Sequence, residues 1–521
     1  MPSGAVVIVI LLHVPYVRRA GVWPYGEHEF YAAMADAFIP LLDELLKLQE
    51  AKFPLRITLA LSPVLLEQCA DPLLRSGFED YLLRRLQQAE QDMRALPRQF
   101  TDVLHWQRWR AEGILDSWSN RHKRSLVRTI RDLERAGTVE AIAYPATGAI
   151  LPLLPRTAAA RGQIVQGLRV FERYLEHATT GMWLPGGAIV SGDQHRDNSS
   201  LLLEHGVLYT LTSERAAPGI APNLPWQLPS GLKLLASQED FLATCLSQDT
   251  GFPSSLAYSG PPDSSFRRLY RRGASQTQLS RLASWPPGIA ITVAAADQGE
   301  VSRLYDPVRA VAVAQEQGLQ AAALAAAMLS ATSEHEPQSG MIMLPLDAAI
   351  FCSWLEGPRW FGEFVRAIQL RQLSLLSGAQ AINQYRSSGI SELLPASWEP
   401  QGDLSSWLAP NTSWYWDTVA TVLDMLESGI VNFGANANPL LTRILAQATR
   451  EALLLLSGEW PCLLGKGGEA KDYAAERVRT HYERFRRLFY LLGAEELDTS
   501  LLEHYEALDN LFSDLDYYLF V

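Results

Sequence analysis

The side chains best suited to acid–base chemistry in this sequence follow apolar runs that are typical of buried strands. His13 follows AVVIVILL at 5–12, and Asp347 follows GMIMLPL at 340–346. A histidine exchanges a proton near neutral pH, and an aspartate can serve as a general acid or base. Each also has an ordinary structural interpretation, because a buried histidine is common in cores and an aspartate after a strand commonly caps a helix. The pattern leaves both interpretations open.

Two other apolar runs end in glycine where a functional side chain could stand. GMWLP at 181–185 is followed by Gly186, and VEAIAY at 139–144 leads to Thr147 and Gly148. Glycine has no group that can accept a proton or form a covalent intermediate. These positions therefore raise the question of which chemistry the site keeps.

The apolar runs recur between helical stretches, which is typical of a parallel sheet covered by helices. They are AVVIVILL (5–12), PLRITLAL (54–61), VEAIAY (139–144), GMWLP (181–185), GVLYTLT (206–212), GIAITVA (288–294) and GMIMLPL (340–346). This alternation predicts an α/β barrel. Functional side chains in barrels follow the C-terminal ends of strands, so we expect residues 13, 148, 186 and 347 to meet at one cleft.

The remaining regions have helical patterns. Residues 67–137 are polar and helix-forming, and they predict a helical insertion into a barrel made of 1–66 and 138–365. After Gly357 the apolar residues recur at helical spacing. A C-terminal helical domain is therefore expected at 366–521, interrupted by a tryptophan-rich loop.

Composition limits the partners. The chain has 521 residues and a net charge of −12, which argues against nucleic acid or an anionic membrane as partner. Two basic segments, 121–137 and 266–283, are interpreted as solvated helix faces. The first apolar stretch is too short to span a bilayer and predicts a strand.

The cysteines are few and far apart, so no pair has the spacing of metal ligands or of a redox motif. They are Cys69, Cys245, Cys352 and Cys462. We therefore predict a cytoplasmic protein with no metal and no cofactor.

Tryptophan is the other functional signal, with 14 in the chain. Indole faces among polar loops suit carbohydrate, although large aromatic side chains also fill interfaces between domains. The candidates for substrate binding are Trp23, Trp398, Trp407, Trp414 and Trp416, together with His13.

Several long segments resemble the α-glucan branching enzymes of glycoside hydrolase family 57. They are HVPYVRRAGVWPYGE (13–27), GMWLP (181–185), LLLEHGVLYTLT (201–212), LPLDAAIFCSWLEGP (344–358), SWEPQGDLSSWLAPNTSWYWD (397–417) and SGEWPCLL (457–464). The resemblance implies a (β/α)7 barrel with a helical insertion and a C-terminal helical domain. It also implies a reaction that cleaves an α-1,4 link, holds the piece on a carboxylate and transfers it to a 6-hydroxyl.

The resemblance also shows where this chain departs from the family. The nucleophilic glutamate follows Trp-Leu-Pro in the family, and Gly186 stands there. The acid/base aspartate corresponds to Asp347, by its LPLD context. Two family histidines are replaced, by Leu11 and by Gly148. A family tryptophan aligns with Leu246 and a glycine with Glu399, while residues that hold the fold remain: Pro15, Trp183, Pro185, Trp354 and Pro358.

Losses at several separate strand ends predict a pseudoenzyme that keeps weak affinity for α-1,4-glucan or maltooligosaccharide, or that binds a protein partner. One alternative is an active branching enzyme, glucanotransferase or amylase that uses another carboxylate, such as Asp193, or inverts with Asp347 and water. Another is a scaffold or regulator without a sugar site, which contacts its partner through the acidic C-terminal stretch.

Overall fold

A computed structural model describes residues 4–21, 25–95, 98, 101–192, 197–258, 305–333, 340–399, 401–494 and 499–521. The chain forms two compact units, each built from segments that are distant in sequence. The first unit comprises residues 1–58, 68–140 and 238–377, and the second comprises residues 59–67, 141–237 and 378–521. The domain boundaries expected from the sequence stay predictions.

The described strands are β1 (Ala5–Leu12), β2 (Ile57–Leu61), β3 (Val139–Ile142), β4 (Tyr209–Ser213), β5 (Trp226–Gln227), β6 (Lys233–Ser237), β7 (Met341–Asp347), β8 (Ser374–Leu376) and β9 (Ser388–Gly389). The described helices up to the middle of the chain are α1 (Glu27–Ala32), α2 (Ile39–Glu50), α3 (Pro63–Ala70), α4 (Pro72–Ala95), α5 (Thr101–Asp116), α6 (Leu126–Arg135), α7 (Thr157–Leu175), α8 (Asn198–Glu204) and α9 (Glu239–Leu246). The later ones are α10 (Pro307–Ser333), α11 (Gly357–Leu370), α12 (Gly378–Gln384), α13 (Ser413–Phe433), α14 (Pro439–Leu455), α15 (Glu459–Lys466), α16 (Gly468–Leu491) and α17 (Thr499–Leu508).

The sheet that contains β1 is built around this strand, whose eight residues are all buried. Its strand order is β3-β2-β1-β7, and β8 also pairs with β1. β1 and β7 run parallel, with Leu11 opposite Asp347. A strand buried on both faces must be apolar throughout, which explains why its sequence predicted its bounds so well.

The insertion helices are held to the first unit by a buried charge. Asp36 is buried, and its carboxylate accepts hydrogen bonds from Arg85 of α4 and Arg110 of α5. Burial alone would raise the pKa of Asp36, but the two guanidinium groups lower it. Removing one guanidinium group would leave the buried carboxylate with a single cationic partner, and removing both would leave it without compensation.

The sheet of the second unit has the order β4-β6-β5-β9. β4 and β6 pair in parallel, whereas β5 pairs antiparallel with β6. The strand expected at 181–185 is reduced to isolated bridges, in which Gly181 pairs with Tyr209 and Met182 with Ala143. Pro185, which has no N–H group to donate, begins a short 3-10 turn there. The strand expected at 288–294 lies outside the described residues.

Within the described part of the chain, no helix is both long enough and apolar enough to cross a membrane.

The outer edge of β7 is hydrogen-bonded by a side chain. The Gln238 amide donates to the Met341 carbonyl at 3.3 Å and accepts from the Met343 N–H at 3.0 Å. Gln238 is itself buried. A single glutamine therefore satisfies a donor and an acceptor that β7 would otherwise leave unpaired.

We expect Gln238→Ala to lower the free energy of unfolding by about 1–3 kcal/mol, because it leaves both backbone groups of β7 without their partner. Urea unfolding followed by circular dichroism measures the change. The matched control is Gln320→Ala, since Gln320 is exposed on α10 and its amide donates to Glu316 of the same helix. An equal effect of the two substitutions would contradict this assignment.

Candidate active site

Two of the predicted site positions lie at the C-terminal ends of the neighbouring strands β1 and β7. Asp347 is the last residue of β7 and is level with Leu11 of the parallel strand β1. His13 follows the end of β1 and is half-buried. Asp347 is exposed, and its Oδ1 accepts a hydrogen bond of 2.9 Å from the N–H of Ala349. The carboxylate thus caps the turn after β7, while its acid/base role stays a prediction.

Gly186 lies in the second unit, within the turn Pro185–Gly187. Its φ of +59° is in the left-handed region, which side-chain-bearing residues rarely adopt. A Cβ atom placed on it would lie 2.6 Å from Cη2 of the Trp407 indole. The space that a side chain at this position would need is therefore occupied by an aromatic ring.

Gly148 has the same local geometry. Its φ is +68°, and a Cβ atom placed on it would lie 2.9 Å from the Tyr144 ring. The preceding Thr147 is fully buried; its Oγ1 donates to the Leu453 carbonyl at 2.8 Å. Ser457 in turn donates to the Thr147 carbonyl at 3.1 Å. The loop after β3 is thus fixed on both sides by residues of its own unit.

Trp407 differs from the expectation of an exposed indole face. It is only 1% exposed, and it packs in a cluster with Ile150, Ala188, Val190 and Leu404. Its Nε1 donates to Sγ of Cys462 at 3.0 Å. The ring therefore offers no face to a sugar in this structure, because its apolar surface already contacts protein.

The other described tryptophans of the loop are more open. Trp398, Trp414 and Trp416 are half-buried. Trp398 is held by a hydrogen bond from Nε1 to Ser237 Oγ of 2.9 Å, and its ring lies 5.1 Å from that of Trp183. A role of these three in sugar stacking stays a prediction.

Trp23 and Asp193 lie outside the described residues.

Sequence reasoning missed one feature of the second unit and named another only as a departure from the family, without a role in the site. The first is that Tyr144 and Trp407 fill the space beside Gly148 and Gly186. The second is Glu399, a half-buried carboxylate next to Trp398 whose pKa is raised by burial and lowered less strongly by Lys466. An acid beside a tryptophan in a polar loop was the available signal.

A buried cluster in the second unit has side chains of the metal-binding type. Ligand atoms of Glu451, His481 and Asp509 lie within 4.8 Å of one another. Arg477 is 3.0 Å from Nε2 of His481, whose Nδ1 is 2.7 Å from Glu451, and Arg484 donates to Asp509. The two guanidinium groups supply the positive charge that the two carboxylates need and would repel a cation. We therefore interpret the cluster as a structural hydrogen-bonded network.

Comparison with known proteins gives consistent matches. Residues 7–302, more than half of the chain, match the description "Glycosyl hydrolase family 57". Residues 424–520 match "1,4-alpha-glucan branching enzyme, C-terminal". A 1,4-alpha-glucan branching enzyme of Thermococcus kodakarensis is 27% identical over 98% of this chain and 77% of its own length.

Solved structures agree in fold. The branching enzyme of Pyrococcus horikoshii superposes with a TM-score of 0.89 at 24% identity, covering 100% of this chain and 97% of that chain. The Thermococcus enzyme, solved in complex with glucose and additives, superposes with a TM-score of 0.89 at 25% identity, covering 100% of this chain and 96% of that chain. These likenesses confirm the predicted fold class, a (β/α)7 barrel with a C-terminal helical region. The chain therefore belongs to glycosyl hydrolase family 57 and is a homologue of its branching enzymes.

Proposed function

We propose that this protein binds α-1,4-glucan and does not catalyse the branching reaction of its relatives. Its relatives are branching enzymes, and one of them was solved with glucose. Binding and catalysis make different demands on a protein. Binding needs aromatic faces and hydrogen-bonding groups, whereas the reaction needs a pair of carboxylates in a fixed geometry.

The reaction requires a nucleophile. A retaining enzyme uses two carboxyl groups about 5–5.5 Å apart, one of which forms a covalent bond to the sugar while the other protonates the leaving oxygen. Asp347 corresponds to the second group. Gly186 stands at the position of the first and cannot hold a glycosyl group.

The contact between Gly186 and Trp407 carries the proposal. If the glutamate had only been removed, a space or a polar environment would be expected at this position. Instead the backbone is left-handed, and an indole lies 2.6 Å from where a Cβ would be. Gly148, where a family histidine is missing, has the same left-handed backbone and an adjacent tyrosine ring. At both positions an aromatic ring lies where the missing side chain would begin. This supports the proposal that the site no longer performs the branching reaction.

Glucan binding is supported by what remains. Half-buried Trp398, Trp414 and Trp416 can stack on the C–H faces of pyranose rings. Losing polar groups at 148 and 186 leaves fewer partners for sugar hydroxyls. We therefore expect weak affinity, with a Kd of about 1 mM, which corresponds to about −4 kcal/mol.

We expect the purified protein to form no new α-1,6 links in amylose, with a rate at least ~10³-fold below that of the Thermococcus enzyme measured in parallel. Iodine staining and chain-length analysis after debranching measure the product. New branches that scale with protein concentration and disappear in Asp347→Asn would overturn the inactive assignment and favour a second carboxylate.

Restoring the carboxylate alone is expected to fail. Gly186→Glu should lower the free energy of unfolding by about 2–4 kcal/mol, because the strain of a left-handed backbone adds to the cost of overpacking against Trp407. It should also produce no branching activity. Gly192→Glu is the matched control, since Gly192 has a φ of +82° but no atom of the described residues within 4 Å of its Cβ position. Denaturant unfolding compares the two variants, and equal costs would contradict the steric argument.

The double variant Gly186→Glu/Trp407→Ala tests the same contact from its other side. Removing the indole should cost about 3–5 kcal/mol by itself. The double variant should be more stable than the sum of the single effects by about 1–3 kcal/mol, because the clash is absent. Simple additivity in denaturant unfolding would show that the two positions do not interact.

A further inference from the structure

We propose that a buried network in the second unit moves one proton when the C-terminal segment docks, from the imidazole of His481 to the carboxyl pair of Glu451 and Asp509. The C-terminal segment comprises residues 499–521, which begin with α17. Because the proton stays within the network, the segment remains docked in mildly acidic solution. None of these groups takes part in the proposed glucan binding.

Three elements contribute the titratable groups of the network, and all three groups are buried. Glu451 lies on α14, His481 on α16 and Asp509 directly after α17, with exposed fractions of 0%, 0% and 1%. Ligand-type atoms of the three lie within 4.8 Å of one another. Gln447 of α14 holds the segment beside them, because its amide donates to the carbonyls of Tyr505 at 3.3 Å and Asp509 at 3.2 Å. Docking of the segment therefore encloses groups that can bind or release a proton.

The hydrogen bonds of His481 determine its protonation state. Its Nε2 lies 3.0 Å from a guanidinium nitrogen of Arg477. A guanidinium group can only donate hydrogen bonds, so Nε2 must accept and carries no proton. Nδ1 lies 2.7 Å from Oε2 of Glu451 and therefore donates to that carboxyl group. The docked imidazole is thus neutral, and burial together with the charge of Arg477 lowers its pKa well below the usual range.

The two carboxyl groups favour a shared proton. Two like charges in one buried site oppose each other's ionisation. Burial raises the pKa of Glu451, while a hydrogen bond with Asp509 acts in the opposite direction, and two carboxyl groups form such a bond only when one of them carries a proton. Burial, followed by the charge of Glu451, raises the pKa of Asp509 to about 6. The docked network therefore binds a proton where an exposed aspartate would be ionised.

Positive groups face the carboxyl pair from two helices. From α16 they are Arg477 and Arg484, of which Arg484 donates to Asp509. From α14, Arg450 donates to backbone carbonyls of the C-terminal segment. α17 contributes the ring of Tyr505, whose centroid lies 5.8 Å from the Arg484 guanidinium carbon. The guanidinium groups of α16 lower the pKa values of both carboxyl groups less strongly than burial raises them.

Undocking moves the proton back. In water an imidazole takes up a proton below about pH 6.5, whereas an aspartate releases its proton above about pH 4. Between about pH 4 and 6 the undocked network therefore holds one proton on His481, and the docked network holds one on the carboxyl pair. Because the two states bind the same number of protons, docking does not change with pH in this range. Either group alone would make docking change by about tenfold per pH unit.

Hydrogen exchange followed by mass spectrometry tests the proposal in the full-length protein, because it measures the equilibrium constant for opening of residues 499–521. In the unchanged protein this constant should vary less than about threefold between about pH 4.5 and 6. Asp509→Asn keeps an acceptor for Arg484 and a donor to Glu451 but cannot bind the proton. Its opening constant should rise as the pH falls below about 6.5, by up to about tenfold per pH unit, since the opened state then takes up a proton on His481.

His481→Gln should give the opposite slope. The glutamine amide can donate to Glu451 and accept from Arg477, but it does not titrate. Opening should become more favourable as the pH rises from about 4 to about 6, because only the docked state of this variant binds a proton. His504→Gln is the matched control, since His504 is exposed on α17, and it should follow the unchanged protein.

Parallel pH profiles of the unchanged protein and Asp509→Asn would overturn the proposal, and this comparison decides it even where His481→Gln fails to fold. Slopes of the same sign in the Asp509 and His481 variants would overturn it as well. A network built for a metal ion would respond to zinc instead. A lower opening constant with zinc in the unchanged protein, without that effect in His481→Gln, would therefore also contradict the proton transfer.

Discussion

The packing of the Trp407 ring against the turn at Gly186 determines how much space the candidate site has at this position. It is possible only because residue 186 has no side chain and adopts a φ of +59°. The indole in turn belongs to a buried cluster and is oriented by its hydrogen bond to Cys462. A ring fixed at so many points cannot move aside without disturbing the packing around it. The geometry of the turn and the packing of the tryptophan-rich loop therefore depend on each other.

The loop after β3 is also held in place by its packing. Thr147 is held by the carbonyl of Leu453 and by the hydroxyl of Ser457, so that loop is part of the packing of the C-terminal helices in the second unit. Gly148 then turns left-handed beside Tyr144. The Thr147 hydroxyl is thus directed into the protein, and an aromatic ring lies close to where a side chain at residue 148 would begin.

Sequence predicted the fold class correctly, whereas the roles of the site residues stay predictions. The run AVVIVILL has the bounds of β1 because a strand buried on both faces leaves a continuous apolar signal. Asp347 was placed at the end of β7 for the same reason. GMWLP did not become a full strand, since Pro185 ends the pairing and short apolar runs do not encode their hydrogen-bond partners. Trp407 looked like a sugar platform because tryptophan suits both a binding face and a core, and only tertiary packing distinguishes them.

β7 is the last strand in the order of the described sheet, and such a strand presents a row of unpaired backbone groups to any other chain. Gln238 occupies the Met341 carbonyl and the Met343 N–H, alternate groups along that row. An incoming strand would have to displace a buried amide before it could pair in register. One side chain from the segment preceding α9 therefore covers part of this edge, and Pro345 within β7 has no N–H to offer to an incoming strand.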